Sequence, residues 1–413
     1  MIEYPSFTLP NGLKVVHHAD LTCSTVAVNL LYRVGARDED SRRTGMAHLF
    51  EHLMFGGSAN VPDFDNAIEI AGGWNNAWTS NDFPNFYEVL PACNVETAFW
   101  VESDRMLALA FSDKALEVQK NVVCEEFKQT CLNKPYGDFG ALLRELVFKK
   151  HPYRWQTIGL TMEHIKAVTQ DEVRSFFYSH YAPNNAVLAV AGNISIGQVR
   201  ELAEKWFGDI PAREIARTPG ITEPEITEPR SLTVRRSVPQ AMVAQAFPME
   251  GYGSPLYEAA DILSDILSVG KASRFYRNLI MADTVFTDAD ASILGSDDPG
   301  YFLLTGRLHS SDSASVKAAF DAFSSQTAHI LDNGVSADEL ERAVNKFESN
   351  YLFSNTSCIS KAQNLAMCAM RGEDINSILP RYRALSPEKI SLAAQAIFNP
   401  RRACSLTYLP LEN

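Results

Sequence analysis

The sequence has few cationic residues, no long apolar run and no closely spaced cysteine pair, and each shortage narrows the possible functions. Its 37 lysines and arginines are outnumbered by 50 aspartates and glutamates, which gives a net charge of −13. Non-specific nucleic-acid binding depends largely on cationic side chains that release counterions, so this balance argues against a nucleic-acid partner. The longest apolar runs, such as 186–191, are far shorter than the roughly 20 residues that a membrane helix needs. We therefore expect neither a nucleic-acid-binding nor a membrane-spanning protein.

The cysteines and the start of the chain bear on the cellular compartment. The seven cysteines are spread along the chain and include no C-x-x-C pair. This distribution favours free thiols over a disulfide framework and, with them, a reducing compartment. Residues 1–7 contain neither the basic stretch nor the apolar core of a signal peptide. We expect a cytoplasmic protein, with the periplasm as the alternative if a signal peptide has been removed.

The chain also contains an internal repeat. At about 100–200 residues per domain, its 413 residues predict two to three domains. Segments that begin at Ala167 and Ala384 run in parallel without a gap, offset by 217 residues. Each has a capped helical pattern, an aromatic-x-Pro turn and a strand-like run. Since the offset is about half the chain, we predict two copies of one α+β unit of about 200 residues.

A proline-rich stretch separates the two copies. Residues 211–230 contain four prolines and little apolar periodicity, which is typical of an extended linker. The predicted organisation is therefore an N-terminal domain over 1–210, a linker over 211–230 and a homologous C-terminal domain over 231–413.

The segment 44–56 carries the clearest chemical pattern in the chain. It places His48 and His52 one helical turn apart on one face, with Glu51 beside them. Two imidazoles at this spacing can bind one zinc ion, and Glu51 can act as a base without being a ligand. The order His-x-x-Glu-His is that of the inverted zinc peptidases. The alternative is a pair of histidines packed on an ordinary amphipathic helix.

A hydrolytic zinc site needs a third protein ligand from another rigid element. Residues 113–129 form a helical pattern with Glu125 and Glu126 in its second half, and the pattern alone does not choose between these two carboxylates. Two further histidines, His17 and His18, follow a predicted strand and are expected to be exposed.

Several segments together resemble the pitrilysin family, which includes insulin-degrading enzymes and mitochondrial processing peptidases. The third zinc ligand of that family is a glutamate in a Val-x-x-x-Glu helix, and Glu126, 74 residues after His52, takes this position. The resemblance rests on Gly35–Asp40, Thr44–Phe55, Gly72–Gly73, Asn76–Thr79 and His151–Tyr153.

The resemblance implies a function and a fold for the whole chain. The fold is α+β, with two homologous domains that each contain a mainly antiparallel sheet packed with helices. The implied activity is that of a zinc endopeptidase that cleaves peptides or unfolded segments, with Zn²⁺ as its cofactor and Glu51 as the general base. Asn76, Ala77 and Thr79 match the edge strand on which the family binds its substrate as an added strand.

The sequence departs from the family pattern at two places. Gln119 stands where the family usually has a supporting glutamate, which predicts a weaker charge around the metal. Ile280 and Thr287 stand where the family has an arginine and a tyrosine that hold the substrate and stabilise its oxyanion. Tyr276 or Arg277 can substitute for this pair, a partner chain can supply it, or the chain cleaves slowly.

The missing pair and the length of the chain favour an assembly of two chains. Family members of this size pair into a four-domain chamber, so we expect a homodimer or a heterodimer with a related chain. The competing interpretation is a non-catalytic or weakly active subunit that needs its partner for cleavage. A third interpretation is a zinc-binding regulatory module in which Glu51 is structural.

Overall fold

A computed structural model describes residues 1–110, 112–216, 220–282 and 285–412. Its strands are β1 (Ser6–Thr8), β2 (Lys14–Ala19), β3 (Thr25–Tyr32), β4 (Trp74–Thr79), β5 (Pro84–Pro91), β6 (Ala186–Gly192), β7 (Arg230–Arg236), β8 (Met242–Met249), β9 (Phe286–Leu294), β10 (Gly300–Leu308) and β11 (Cys404–Pro410). Its helices are α1 (Met46–Met54), α2 (Phe64–Ile70), α3 (Glu96–Leu107), α4 (Asp113–Phe127), α5 (Phe139–Val147), α6 (Met162–Lys166), α7 (Gln170–His180), α8 (Ile196–Phe207), α9 (Tyr257–Ser268), α10 (Ser313–Asn333), α11 (Ala337–Ser354), α12 (Cys358–Arg371), α13 (Ile375–Arg383) and α14 (Pro387–Ile397). Within these ranges no helix combines the length and the apolar character needed to cross a membrane.

The first sheet has the strand order β1-β2-β6-β3-β5-β4, so β4 forms one of its edges. Strands β2 and β6 are parallel, and the other neighbours are antiparallel. The expectation that His17 and His18 follow a strand and are exposed is wrong. Both lie within β2, and His17 is only 1% exposed, because its Nε2 atom is hydrogen-bonded to the Ile194 carbonyl oxygen at 2.9 Å.

The second sheet repeats the arrangement of the first. Its order is β7-β11-β8-β10-β9, with a parallel β7–β11 pair and antiparallel neighbours elsewhere. The offset of 217 residues holds for β3 and β8, which begin at Thr25 and Met242, and for α7 and α14, which begin at Gln170 and Pro387. The predicted α+β fold of two homologous units with mainly antiparallel sheets is therefore confirmed.

The compact units exchange segments relative to a contiguous division of the chain. The first unit contains residues 1–127, 155–220 and 351–378, and the second contains 128–154, 221–350 and 379–413. Helix α12 belongs to the first unit because its apolar face packs on β2, β3 and β6. In the predicted linker, residues 217–219 lie outside the described residues, and 211–216 and 220–229 form neither helix nor strand.

The apolar face of α12 shows why it leaves its sequence neighbours. Ala362, Leu365 and Ala366 are at most 1% exposed, and they cluster with Ala27 of β3 and Ala189 of β6. Small residues on both surfaces allow the helix to approach the sheet closely, and the contact removes apolar area from water. The burial of this face fixes α12 on the first sheet.

Candidate metal centre

Helix α1 carries the His-x-x-Glu-His motif on its more exposed face. The residues between the motif positions, including Leu49, Phe50 and Leu53, are buried, whereas His48, Glu51 and His52 are half-buried. The helix begins after Gly45, which has a φ of +91° and whose added Cβ would lie 2.9 Å from the Ile158 carbonyl oxygen. Glycine at this position therefore allows the helix to start against the neighbouring segment.

Glu39 holds the first turn of α1. Its buried carboxylate accepts hydrogen bonds from the backbone N–H groups of Gly45 and Ala47 at 2.9 and 2.8 Å. These are amides that a helix start leaves without intrahelical partners. Burial raises the pKa of Glu39 to about 8. Sequence reasoning did not identify this residue as functional, although it lies within the 35–40 segment that carries part of the family resemblance.

Helix α4 brings a carboxylate to the two imidazoles. Leu116, Val123 and Phe127 are buried on one side of this helix, and Glu126 projects beside them. The Glu126 Oε2 atom lies 3.6 Å from His48 Nε2 and 3.4 Å from His52 Nε2. Glu125 is exposed. The structure therefore brings Glu126, and not its neighbour, to the histidine pair.

The three side chains fit a single zinc ion in donor type and in spacing. Their ligand atoms all lie within 4.8 Å of one another. Tetrahedral zinc with ligand bonds of about 2.1 Å separates its ligand atoms by about 3.4 Å, close to both measured carboxylate–imidazole distances. Two histidines and one glutamate are also a donor set of catalytic zinc sites.

The protonation states of the group agree with metal binding. Burial lowers the pKa of His48, which favours the neutral imidazole that binds metals. The hydrogen bond with His52 lowers the pKa of Glu126, which favours the carboxylate. The Nδ1 atom of His48 is buried and has no hydrogen-bond partner among the described residues, so Nε2 is the nitrogen that faces Glu126.

Glu51 lies next to this group but is not part of it. Its Oε2 atom accepts a hydrogen bond from the Thr79 hydroxyl. Burial raises the pKa of Glu51, and the Thr79 hydrogen bond and the His52 charge act in the opposite direction. A carboxylate with a raised pKa beside a metal-binding group is suited to proton transfer at neutral pH.

Strand β4 places the three predicted substrate-binding residues at the sheet edge. Thr79, at its end, contacts Glu51, so this residue is brought directly to the candidate centre. Asn76 and Ala77 lie further along the same strand, opposite Tyr87 and Phe86 of β5. The Ala77 N–H donates to Asn76 Oδ1 at 2.8 Å.

The two departures from the family pattern lie on different units. Gln119 is half-buried on α4 of the first unit. In the second unit, Ile280 ends a short π-helical turn, and the hydroxyl of Thr287 on β9 donates to the Arg307 carbonyl oxygen at 3.3 Å. Neither Ile280 nor Thr287 carries a cation or a phenol.

The cations near these positions already have partners. Arg274 donates two hydrogen bonds to Glu339, at 2.8 and 2.9 Å, and a third to the Gly334 carbonyl oxygen at 2.9 Å. Arg277 lies 3.8 Å from Glu339 and has a side chain that is 56% exposed. Arg277 is therefore the more available of the two guanidinium groups.

Two family models match the chain in succession. Residues 14–145 match the model described as insulinase, peptidase family M16, and residues 167–347 match the model described as the peptidase M16 inactive domain. The zinc protease PqqE of Helicobacter pylori is 28% identical over 307 residues, which are 73% of this chain and 69% of that protein.

Solved structures share the fold. The crystal structure of a protease from Helicobacter pylori has a TM-score of 0.93 and 23% identity, and the match covers 99% of this chain and 100% of that one. The crystal structure of pitrilysin has a TM-score of 0.82 and 16% identity, and the match covers 100% of this chain but 45% of that one. The chain thus has the fold of about half of a pitrilysin molecule.

Proposed function

Because the chain belongs to the M16 family of insulinase-like zinc proteases, we propose that it is a zinc-dependent endopeptidase that hydrolyses peptides or unfolded polypeptide segments. The observation that carries the proposal is the group formed by His48, His52 and Glu126, with Glu51 beside it. Three protein ligands leave one position of tetrahedral zinc open, as a hydrolytic site requires.

The ligands and the base have separate roles in the proposed reaction. His48 and His52 bind through their Nε2 atoms and Glu126 through its carboxylate. Zinc supplies Lewis-acid chemistry, which activates water and polarises a carbonyl group. Glu51 accepts the proton of the attacking water on a carboxylate oxygen and delivers it to the amine that leaves. Thr79 orients the Glu51 carboxylate through its hydroxyl hydrogen bond.

The edge strand β4 is the proposed substrate platform. Its outer side faces no further strand of the first sheet within the described residues, so an extended peptide can pair with it. Pairing through the main chain gives affinity with little dependence on side chains, which suits a peptidase for unfolded segments. A substrate that uses the Ala77 N–H must displace the Asn76 side chain from it.

A second candidate function is that of a weakly active subunit that needs a partner chain. It is favoured by Ile280 and Thr287, which cannot stabilise an oxyanion with a charge-assisted hydrogen bond. It is also favoured by the pitrilysin comparison, in which one chain of this length covers 45% of the larger molecule. In this proposal a homodimer, or a heterodimer with a related chain, completes the substrate-binding chamber.

Zinc content and cleavage of a quenched, unstructured peptide test both candidates in one experiment. The peptidase proposal expects about one zinc ion per chain, cleavage by the purified chain alone, loss of cleavage on chelation and recovery with zinc. Bound zinc without cleavage until a related chain is added supports the subunit instead. A chain that neither binds zinc nor cleaves contradicts both.

A further inference from the structure

Two cysteines that are 335 positions apart in the sequence lie side by side in the first unit. The Sγ atoms of Cys23 and Cys358 are 3.2 Å apart. Cys23 lies in the turn between β2 and β3, and Cys358 is the first residue of α12. A disulfide bond is about 2.05 Å long, so the two sulfur atoms need to approach by only about 1.2 Å.

The surrounding contacts hold the two thiols together. At the same end of α12, Lys361 Nζ lies 3.1 Å from Asp20 Oδ2. At the other end, Lys14 Nζ donates to the Ala369 carbonyl oxygen at 3.0 Å. With the apolar face of α12 packed on the sheet, the helix is fixed at three places. The sulfur contact therefore does not depend on a rare opening or a rearrangement of the helix.

The turn also fixes the position of the Cys23 sulfur. Its Sγ atom lies 3.1 Å from the Asp20 carbonyl oxygen and 3.3 Å from that of Thr25. Thr25 O also accepts the Asn193 N–H at 3.1 Å, so it keeps a partner if Cys23 loses its proton. A thiol is a weak donor, and little hydrogen bonding is lost when it is oxidised.

The same place is a less suitable metal site. Asp20 joins the two cysteines in a group whose ligand atoms lie within 4.8 Å of one another. Both oxygens of Asp20 already have donors: the Thr22 hydroxyl at 2.5 Å and the Lys361 ammonium at 3.1 Å. These donors lower the pKa of Asp20 to about 2. With the carboxylate paired to a lysine, only the two sulfur atoms are left as ligands, fewer than zinc requires.

We propose that Cys23 and Cys358 are an oxidation site, at which a hydroperoxide converts the two thiols into an intramolecular disulfide that ties α12 to the first sheet. Cys23 meets the oxidant because it is half-buried, whereas Cys358 is 9% exposed. Burial and the neighbouring Cys23 sulfur raise the pKa of the Cys358 thiol. Cys358 is therefore the thiol that attacks second.

The reaction balances with hydrogen peroxide as the oxidant. The Cys23 thiolate attacks one peroxide oxygen and the O–O bond breaks, which leaves a sulfenic acid on Cys23 and a hydroxide that takes up the thiol proton to give water. The Cys358 sulfur then attacks the Cys23 sulfur. The S–S bond forms, the S–O bond breaks, and the departing hydroxide leaves as water with the Cys358 proton. Two thiols lose two electrons, and one peroxide becomes two waters.

The test counts thiols and maps the linked peptide in the purified full-length protein. The chain has seven cysteines, and treatment with stoichiometric hydrogen peroxide is expected to remove two of the seven reactive thiols in denaturant. Non-reducing peptide mass spectrometry should identify the Cys23–Cys358 cross-link. The oxidised protein should unfold about 5 °C or more above the reduced protein, and dithiothreitol should reverse this shift.

Single variants separate the two steps. Cys358→Ser should accumulate a sulfenic acid on Cys23, detected as a dimedone adduct, because the attacking thiol is gone. Cys23→Ser should leave Cys358 unmodified, and Cys93→Ser, at an exposed cysteine, should leave the cross-link unchanged.

Three results would overturn the proposal. The first is wild-type protein that keeps all seven thiols after peroxide treatment. The second is Cys23 that is oxidised to a sulfinic acid while Cys358 stays free. The third is a second bound zinc ion that is lost in Cys23→Ser/Cys358→Ser, since this would identify a metal site.

Discussion

The hydroxyl of Thr79 donates a hydrogen bond to the Glu51 carboxylate, and this contact joins the edge strand β4 to the helix that carries the His-x-x-Glu-His motif. Sequence comparison assigns Thr79 to substrate binding alone. The structure gives it a second partner, because its side chain faces the proposed base. A substrate paired with β4 is thus placed next to the group that moves the proton.

Removal of this hydrogen bond should shift the acid limb of the pH–rate profile. Burial raises the pKa of Glu51, and the Thr79 donor opposes this by stabilising the carboxylate. Glu51 acts only when deprotonated, so activity is lost as the pH falls through its pKa. Thr79→Val should therefore move the acid limb of kcat/KM to higher pH, whereas Thr79→Ser should leave it in place. The same acid limb in wild type and Thr79→Val would show that the hydrogen bond does not tune the base.

Adjacent glutamates on α4 offer a matched pair of variants. Glu126→Gln removes the carboxylate that faces both imidazoles and should weaken zinc binding by about 100-fold or more. Glu125→Gln removes the same charge from an exposed position and should leave zinc affinity within about 3-fold of wild type. Competition with a fluorescent chelator measures both. Equal losses in the two variants would mean that net charge, and not coordination, controls binding.

Glu39 should make the protein less stable as the pH rises. Its pKa is raised from an ordinary value of 4.5 to about 8 by burial, so the folded state holds a proton that the unfolded state releases. Its stabilising contribution is complete below 4.5 and is lost as the pH rises to about 8. Urea unfolding of metal-free protein over this range measures the slope. Glu39→Gln should flatten the slope, while Glu69→Gln, at an exposed carboxylate, should retain it.

The substrate-holding pair can be restored in this chain. Ile280→Arg with Thr287→Tyr introduces the arginine and tyrosine that the family resemblance places there. If the chain catalyses alone, the double variant should raise kcat/KM for a quenched peptide by about 10-fold or more. Ile280→Lys with Thr287→Phe, which keeps one charge and one ring without the same donors, should gain less. No gain in the first variant, together with a dimer in sedimentation, would favour a partner chain as the source of the pair.

The sequence predicted the metal-binding helix well because its chemistry is local. The spacing of His48, Glu51 and His52 is a property of one helix, and the structure places all three on the same face. The choice between Glu125 and Glu126 was not local, since successive helical residues point about 100° apart and only the position of α4 beside α1 decides which one faces the histidines. The family resemblance supplied that choice.

Long-range packing could not be read from local patterns. The sequence repeat indicates a contiguous second domain, yet α12 packs on β2, β3 and β6 of the first unit. No pattern within 358–371 shows which sheet its apolar face covers. The proximity of Cys23 and Cys358 depends on this docking, so the even spread of cysteines along the chain gave no sign of it. The burial of His17 depends in the same way on a contact with Ile194.

The most direct test of the proposed function is zinc content and peptide cleavage in Glu51→Gln compared with wild type. Glu51 lies beside the ligand group without belonging to it, so the variant should keep its zinc. Cleavage should fall by about 100-fold or more, because the amide cannot accept the proton of water. Retained zinc with lost cleavage is the expected result, and cleavage at the wild-type rate would contradict the assignment of Glu51 as the base.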